Sequence, residues 1–307
     1  MPQAEAGRLN SAPWLMVGAA LLFATMSVCV KLASAWYSAF ELVMYRSLVG
    51  TLVIGALCLL RGTSLRTAYP GMHAWRAFVG VASLSMWFYA ITGLPLATAI
   101  TLNYSSSMWM ALFLIGGSVM LGGQRIDPRL IMTVLTGFVG VACILRPTMG
   151  RDQLWFGVVG LGSGIIAALA YLQVATLGRV GEPESRIVFY FSLGGAVVGL
   201  LLSLHDGGLH AHQHWQGVVC IVAIGLLATA AQLMLTRAYA VGRPLVNASL
   251  QYLGIAFSFI YGVLLFDDPV TLMAVAGMLL VVAAGVGAAL LRQRRAFETS
   301  RLPDIEP

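Results

Sequence analysis

Glu41-Leu-Val-Met-Tyr45-Arg46-Ser47-Leu-Val-Gly50 places a carboxylate, a phenol and a guanidinium inside a segment otherwise apolar enough to cross a bilayer. The stretch has an echo 145 positions later, Arg186-Ile-Val-Phe-Tyr190-Phe-Ser192-Leu-Gly-Gly195. Val, Tyr, Ser, Leu and Gly recur in register, whereas Glu41 becomes Arg186 and Arg46 becomes Phe191. Ionisable residues at membrane depth are costly, so they mark function by default. The pattern is that of a duplicated membrane scaffold whose first copy alone keeps intramembrane charge.

Composition agrees with that reading. Of 307 residues, 59% are hydrophobic and 10% charged, with a mean hydropathy of +0.86. Soluble domains carry about a quarter charged residues, so the chain is read as an all-α integral membrane protein. A spanning helix needs about 20 apolar residues. On that basis ten spans are expected, at 13–35, 38–60, 74–93, 97–120, 130–146, 154–178, 186–204, 215–236, 246–266 and 270–291. The first apolar run is long enough to span, and no cleavable signal peptide is expected. Cys29, Cys58, Cys143 and Cys220 all fall in apolar runs with no CxxC spacing, so they read as small buried hydrophobes.

Basic residues set the orientation. With the N-terminus cytoplasmic, the cytoplasmic segments hold Arg8; Arg61, Arg66 and Arg76; Arg125 and Arg129; Arg179 and Arg186; Arg237 and Arg243; and Arg292, Arg294, Arg295 and Arg301. That is fourteen of the eighteen basic residues. Only Arg146 and Arg151 lie on the other side, and Lys31 and Arg46 lie inside helices. Such asymmetry predicts both termini inside. The echo continues in Thr101-Leu-Asn103-Tyr104 and Ser249-Leu-Gln251-Tyr252, offset by 148. Each copy would hold five helices, an odd number, so the second must sit upside down relative to the first. The expectation is therefore a five-helix repeat at 13–146, an inverted partner at 154–291 and a cytoplasmic tail at 292–307. Secondary transporters use this plan, with substrate near the midplane.

These residues resemble the drug/metabolite transporter superfamily, and more closely its EamA-like ten-helix exporters. The resemblance rests on Arg46 in helix 2, on Tyr89-Ala90 and on Leu94-Pro95-Leu96-Ala97. In the second half it rests on Arg237-Ala-Tyr239, Gln251-Tyr252-Leu-Gly254-Ile-Ala-Phe-Ser258 and Gly262-Val-Leu-Leu-Phe266. Where the family commonly ends helices 4 and 9 with Gly-Glu, this chain has Gly122-Gly123-Gln124 and Phe266-Asp267-Asp268. The resemblance implies a carrier of small metabolites, often amino acids or related compounds and usually exported.

The candidate substrate-binding residues are Arg46, Glu41, Tyr45, Asn103, Tyr104, Gln251, Tyr252, Asn247 and Trp109. At 1.5 Å per residue Arg46 lies about 12 Å inside helix 2, too deep to snorkel with ease. It faces either an anionic group in a wet cavity or backbone carbonyls in a helix contact. Glu41, the only acidic residue placed within a span, is the candidate proton carrier. Two readings stay open for it: a pair with Lys31 across the first hairpin, or a helix cap beside a snorkelling Lys31. The amides and phenols of helices 4 and 9 either line the shared cavity or bond helices together. Trp87, Tyr89, Trp109 and Tyr171 are either cavity liners or packing.

The loop His205-Asp206-Gly-Gly-Leu-His210-Ala-His212-Gln-His214 is either a weak metal binder or simply solvated. No span contains a His, and neither HExxH nor GxxxxGK[ST] occurs, so no enzyme, cofactor, metal site or ATP-driven step is expected. The function expected is secondary transport, by export, of a small polar or amphipathic metabolite such as an amino acid or derivative. A channel-like or non-transporting protein of the same fold is the alternative. The expected partners are a small-molecule substrate and membrane lipid, with no nucleic acid, and the chain working as a monomer or weak homodimer in a bacterial inner membrane.

Overall fold

The computed structural model describes residues 2–120, 151–241 and 250–299, with Arg129, Met132, Leu135–Gly137, Val139, Gly140, Cys143 and Asn247 between them. Most of the fifth expected span, 130–146, lies outside the described residues. The helices are α1 (Pro2–Ala33), α2 (Ala39–Leu60), α3 (Pro70–Gly93), α4 (Leu96–Tyr104), α5 (Ser106–Met120), α6 (Arg151–Arg179), α7 (Glu184–His205), α8 (Trp215–Val241), α9 (Leu253–Phe266) and α10 (Leu272–Thr299). Among the described residues, α1, α2, α3, α6, α7 and α8 are long and apolar enough to cross a membrane. Their outward faces carry exposed apolar residues such as Leu52, Leu60, Phe78 and Leu201. That pattern suits lipid rather than water.

Local sequence explains most helix ends. Ser38 starts α2 with a capping box: its side chain accepts from the Glu41 N–H, and the Glu41 carboxylate accepts from the Ser38 N–H. Pro70 sits in the first turn of α3, where its missing N–H costs nothing. Gly62 and Gly181 end α2 and α6 at φ +63° and +83°, the left-handed conformation a helix stop requires.

Several boundaries differ from expectation. The expected span 97–120 is two helices, interrupted at Ser105. In the run Ser105-Ser106-Ser107, Ser105 Oγ donates to Leu102 O and Ser107 Oγ to Tyr104 O, so hydroxyls compete with the backbone ladder. The expected span 246–266 likewise has a turn at Tyr252 before α9 begins. Both breaks fall beside the repeated Asn103-Tyr104 and Gln251-Tyr252 pairs. Further, α3 starts at Pro70 rather than 74, which brings His73 into a helix and buries it. The first helix starts at Pro2 rather than 13, and α10 continues to Thr299, past the expected tail boundary.

The packing has an internal symmetry. Helix α1 lies along α8 as α6 lies along α3, and α2 packs against α7. Helix α2 also touches α8 as α7 touches α3; α1 meets α9 as α6 meets α4; and α4 meets α9. Exchanging α1 with α6, α2 with α7, α3 with α8 and α4 with α9 maps these pairings onto one another, although contacts such as α3–α4 and α6–α7 have no counterpart of like extent among the described residues. At the α2–α7 crossing the symmetry reaches single residues. A Cβ added at Gly50 would lie 2.8 Å from Ser192 Oγ, and one added at Gly195 would overlap Ser47 Oγ. The Ser-x-x-Gly skeletons of the two echoed stretches therefore pack on each other.

Candidate functional site

The α2–α7 crossing carries the cavity. Arg46 on α2 extends over the Phe191 ring on α7, guanidinium carbon to ring centre 5.0 Å. These are the two positions related by the sequence echo. Arg76 on α3 lies over the same ring at 4.3 Å. A Cβ at Gly80, one turn further along α3, would overlap the Arg76 guanidinium, so glycine there leaves the room that side chain occupies. Both arginines are buried, 4% and 3% exposed. Their Nε and Nη1 atoms have no hydrogen-bond partner. Among the described residues no carboxylate pairs with either.

Neutral polar and aromatic groups complete the lining. Asn103 donates to Ser163 Oγ at 3.0 Å, and Gln251 donates to Tyr171 OH at 3.0 Å. Tyr171 stacks on Tyr239, 5.5 Å between centres. Tyr104 and Trp87 stand 6.3 Å apart, and the Tyr104 hydroxyl and Trp87 Nε1 are buried without a partner. Ser83, Gln232 and Phe23 fill the remaining wall. The cavity holds about 50 Å³, room for one or two waters, each needing about 30 Å³. A metabolite therefore fits only when the surrounding helices move apart.

Of the expected substrate residues, the structure brings Arg46, Asn103, Tyr104 and Gln251 to this cavity. Glu41, Tyr45, Tyr252, Asn247 and Trp109 do not line it. Tyr252 bonds Ser107, and Asn247 donates to Ala238 O. Trp109 packs against the hydrophobic core. Arg76, expected among the arginines of the cytoplasmic segments, is instead buried on α3 and lines the cavity. Its place near a helix start resembles a snorkelling site in sequence. Only the Gly80 four residues on hinted otherwise.

A polar cluster joins the turns at each end of the bundle. At one end the histidine loop folds back over α2. Glu41, fully buried, accepts from the His210 N–H at 2.7 Å and contacts His210 Nδ1 at 2.6 Å, in addition to its capping bond. His212 joins Tyr37 OH at 2.9 Å and Tyr45 OH at 3.2 Å, and His214 packs on Trp36. Lys31 does not meet Glu41. It pairs instead with Asp268 at 3.1 Å and donates to Leu94 O, while Asp268 accepts from the Leu96 N–H. The aspartate standing near the usual family glutamate thus ties α1 to the start of α4. Among the described residues no group of His, Cys, Asp and Glu could hold a metal ion.

Removing the Glu41 acceptor strands two part-buried backbone donors, of Ser38 and His210, and the His210 ring. We expect Glu41→Ala to lower stability by roughly 2–3 kcal/mol and to speed amide exchange across the histidine loop. Unchanged exchange there would show that His212 and His214 hold the loop alone.

At the far end, Glu182 accepts from Thr67 Oγ1 at 2.8 Å, meets His73 Nε2 at 3.2 Å and accepts from Arg186 Nη1 at 2.9 Å. Arg186 also donates to Ser64 O, closing the 61–69 loop onto the α6–α7 turn. Burial works against ionising Glu182, but the bonds from Thr67, Arg186 and His73 outweigh it and hold its carboxyl below the ordinary carboxylate value. A depressed folded value means stability present above the unfolded value of about 4.3 and lost as pH falls through the folded one. Glu182→Gln should therefore unfold at lower temperature than the parent at pH 7, and the gap should close below about pH 4. Thermal melts across that range check it.

Residues 10–146 match the EamA-like transporter family. The pseudopaline exporter CntI of Pseudomonas aeruginosa is 32% identical over 276 residues, covering 90% of this chain and 95% of that protein. The chain belongs to the EamA-like transporter family. An uncharacterized transporter of Helicobacter pylori is 26% identical over 278 residues, 88% of this chain and 91% of its own. A solved crystal structure superposes with a TM-score of 0.66 at 20% identity, covering 93% of this chain and 99% of that one, which speaks to the fold alone. This EamA-like protein is thus an integral, multi-pass membrane protein of a transporter family.

Proposed function

We propose that the chain exports a small polar or amphipathic metabolite, such as an amino acid derivative, across a bacterial inner membrane by alternating access between two inverted five-helix repeats. The observation that carries this reading is a cavity lined by two buried arginines, beside the crossing of the two echoed helices, with a polar cluster at each end of the bundle. The symmetric helix pairing and the reciprocal Ser47/Gly195 and Ser192/Gly50 contacts support the repeat. Breaks in the helical path at Ser105 and Tyr252 are the kind that transporters place around a binding site. The loop arginines support a cytoplasmic N-terminus, which puts the histidine loop outside and Glu182 inside. The relatives named as a pseudopaline exporter and as riboflavin transporters support a metabolite-sized solute and, for the first, outward movement.

In this scheme Glu41 acts as coupling acid through the outer cluster rather than by touching solute. Its neighbours there are His210, His212, Tyr37 and Tyr45. Glu41→Gln then alters the pH profile of export, and an unchanged profile removes it from coupling. The carrier itself is tested in proteoliposomes. Saturable counterflow is expected; ion conductance without saturation points to a channel, and neither would end the transport reading.

A further inference from the structure

We infer that the central cavity takes a small dianion, its negative charges divided between Arg46 and Arg76. This rests on the carrier reading and narrows its substrate class. Two guanidiniums share one aromatic ring, at 5.0 and 4.3 Å, so they are near neighbours in a site with little water. Like charges so placed repel, and each has lost hydration. Contact with the ring face compensates only part of that cost. A helix-packing arginine would spend its N–H groups on backbone carbonyls. Here Nε and Nη1 of both side chains stay buried and unbonded, and both residues line the cavity.

The second repeat brings no counter-charge. The counterpart of Arg46 is Phe191, and the rest of the lining is uncharged: amide, hydroxyl, aromatic and aliphatic. Asn103, Gln251 and Gln232 can bond the uncharged part of a solute without adding a fixed charge. The compensating anions must therefore arrive with the ligand. Two carboxylates, one per guanidinium, or a single phosphate bridging both have the required chemistry, since arginine pairs with either in a bidentate fashion.

Three probes separate charge from shape. Butyrate carries one carboxylate, glutarate two, and glycerol 3-phosphate one dianionic group. Binding to the purified full chain is measured by thermal shift at constant ionic strength. We expect glutarate or glycerol 3-phosphate to bind about tenfold or more tightly than butyrate. In Arg76→Gln that preference falls to near unity, and Arg76→Lys recovers part of it. The melting temperature of ligand-free Arg76→Gln should equal or exceed the parent's, because an unpaired buried cation is removed. That outcome would not accompany a merely structural arginine. Equal binding of all three probes, no binding of any, or a preference unchanged in Arg76→Gln overturns the inference. Dianion binding without flux in proteoliposomes would leave it standing and remove the carrier. Saturable counterflow of a cationic solute, unchanged in Arg76→Gln, would do the reverse.

Discussion

Arg46→Ala is expected to reduce solute flux about a hundredfold or more while the protein still purifies folded. The two halves of that expectation come from the same observation. The Arg46 guanidinium sits over Phe191 at 5.0 Å, is 4% exposed, and has no acid or carbonyl at Nε or Nη1. Truncation therefore removes no protein hydrogen bond from those atoms and relieves the cost of holding a bare cation out of water. What is lost is the partner of the transported anion. Flux in proteoliposomes and a melt in detergent measure the two halves separately. Normal flux would take Arg46 out of the site, and a melting temperature several degrees lower would make it a packing residue.

Gly199→Ala tests the scaffold rather than the chemistry. A Cβ at Gly199 on α7 would stand 2.7 Å from the Met44 N and 2.8 Å from its Cα on α2. Those are backbone atoms and cannot rotate away, so the helices must separate. We expect a loss of about 1–3 kcal/mol, read as a lower melting temperature and a smaller monodisperse fraction. Gly55→Ala is the control. Its Cβ would meet the Phe189 ring at 3.4 Å, an ordinary contact, and alanine is the better helix former by up to about 1 kcal/mol. If Gly199→Ala melts like Gly55→Ala, α2 and α7 do not touch there.

The echoed stretch was readable because spacing and hydrophobicity are local properties. Its Val-Tyr-Ser-Leu-Gly skeleton marked the scaffold, and two of its residues, Ser and Gly, do pack across the α2–α7 crossing. Arg46 was readable for a related reason: depth follows from counting residues along one helix. The ion pairs were not readable. Lys31 and Glu41 are neighbours across a short hairpin, yet Lys31 pairs with Asp268 and Glu41 with His210. Those partners arrive from turns far along the chain, and only packing brings the turns together.

Arg76 is the clearest case. Near the start of α3, a long cationic side chain can snorkel to the membrane surface or turn into the bundle, and its sequence position suits both. Gly80 opens the path inward, and Phe191 from the other half supplies the aromatic face. By itself, then, the sequence determined a lipid-embedded helical protein with an echoed stretch and a deep arginine, because these follow from composition and period. Tertiary structure alone decided that a second arginine shares the cavity and that the charges at each end have distant partners. Such choices depend on which helix faces become neighbours, and in a bilayer close packing of small residues selects them as much as hydrophobicity does.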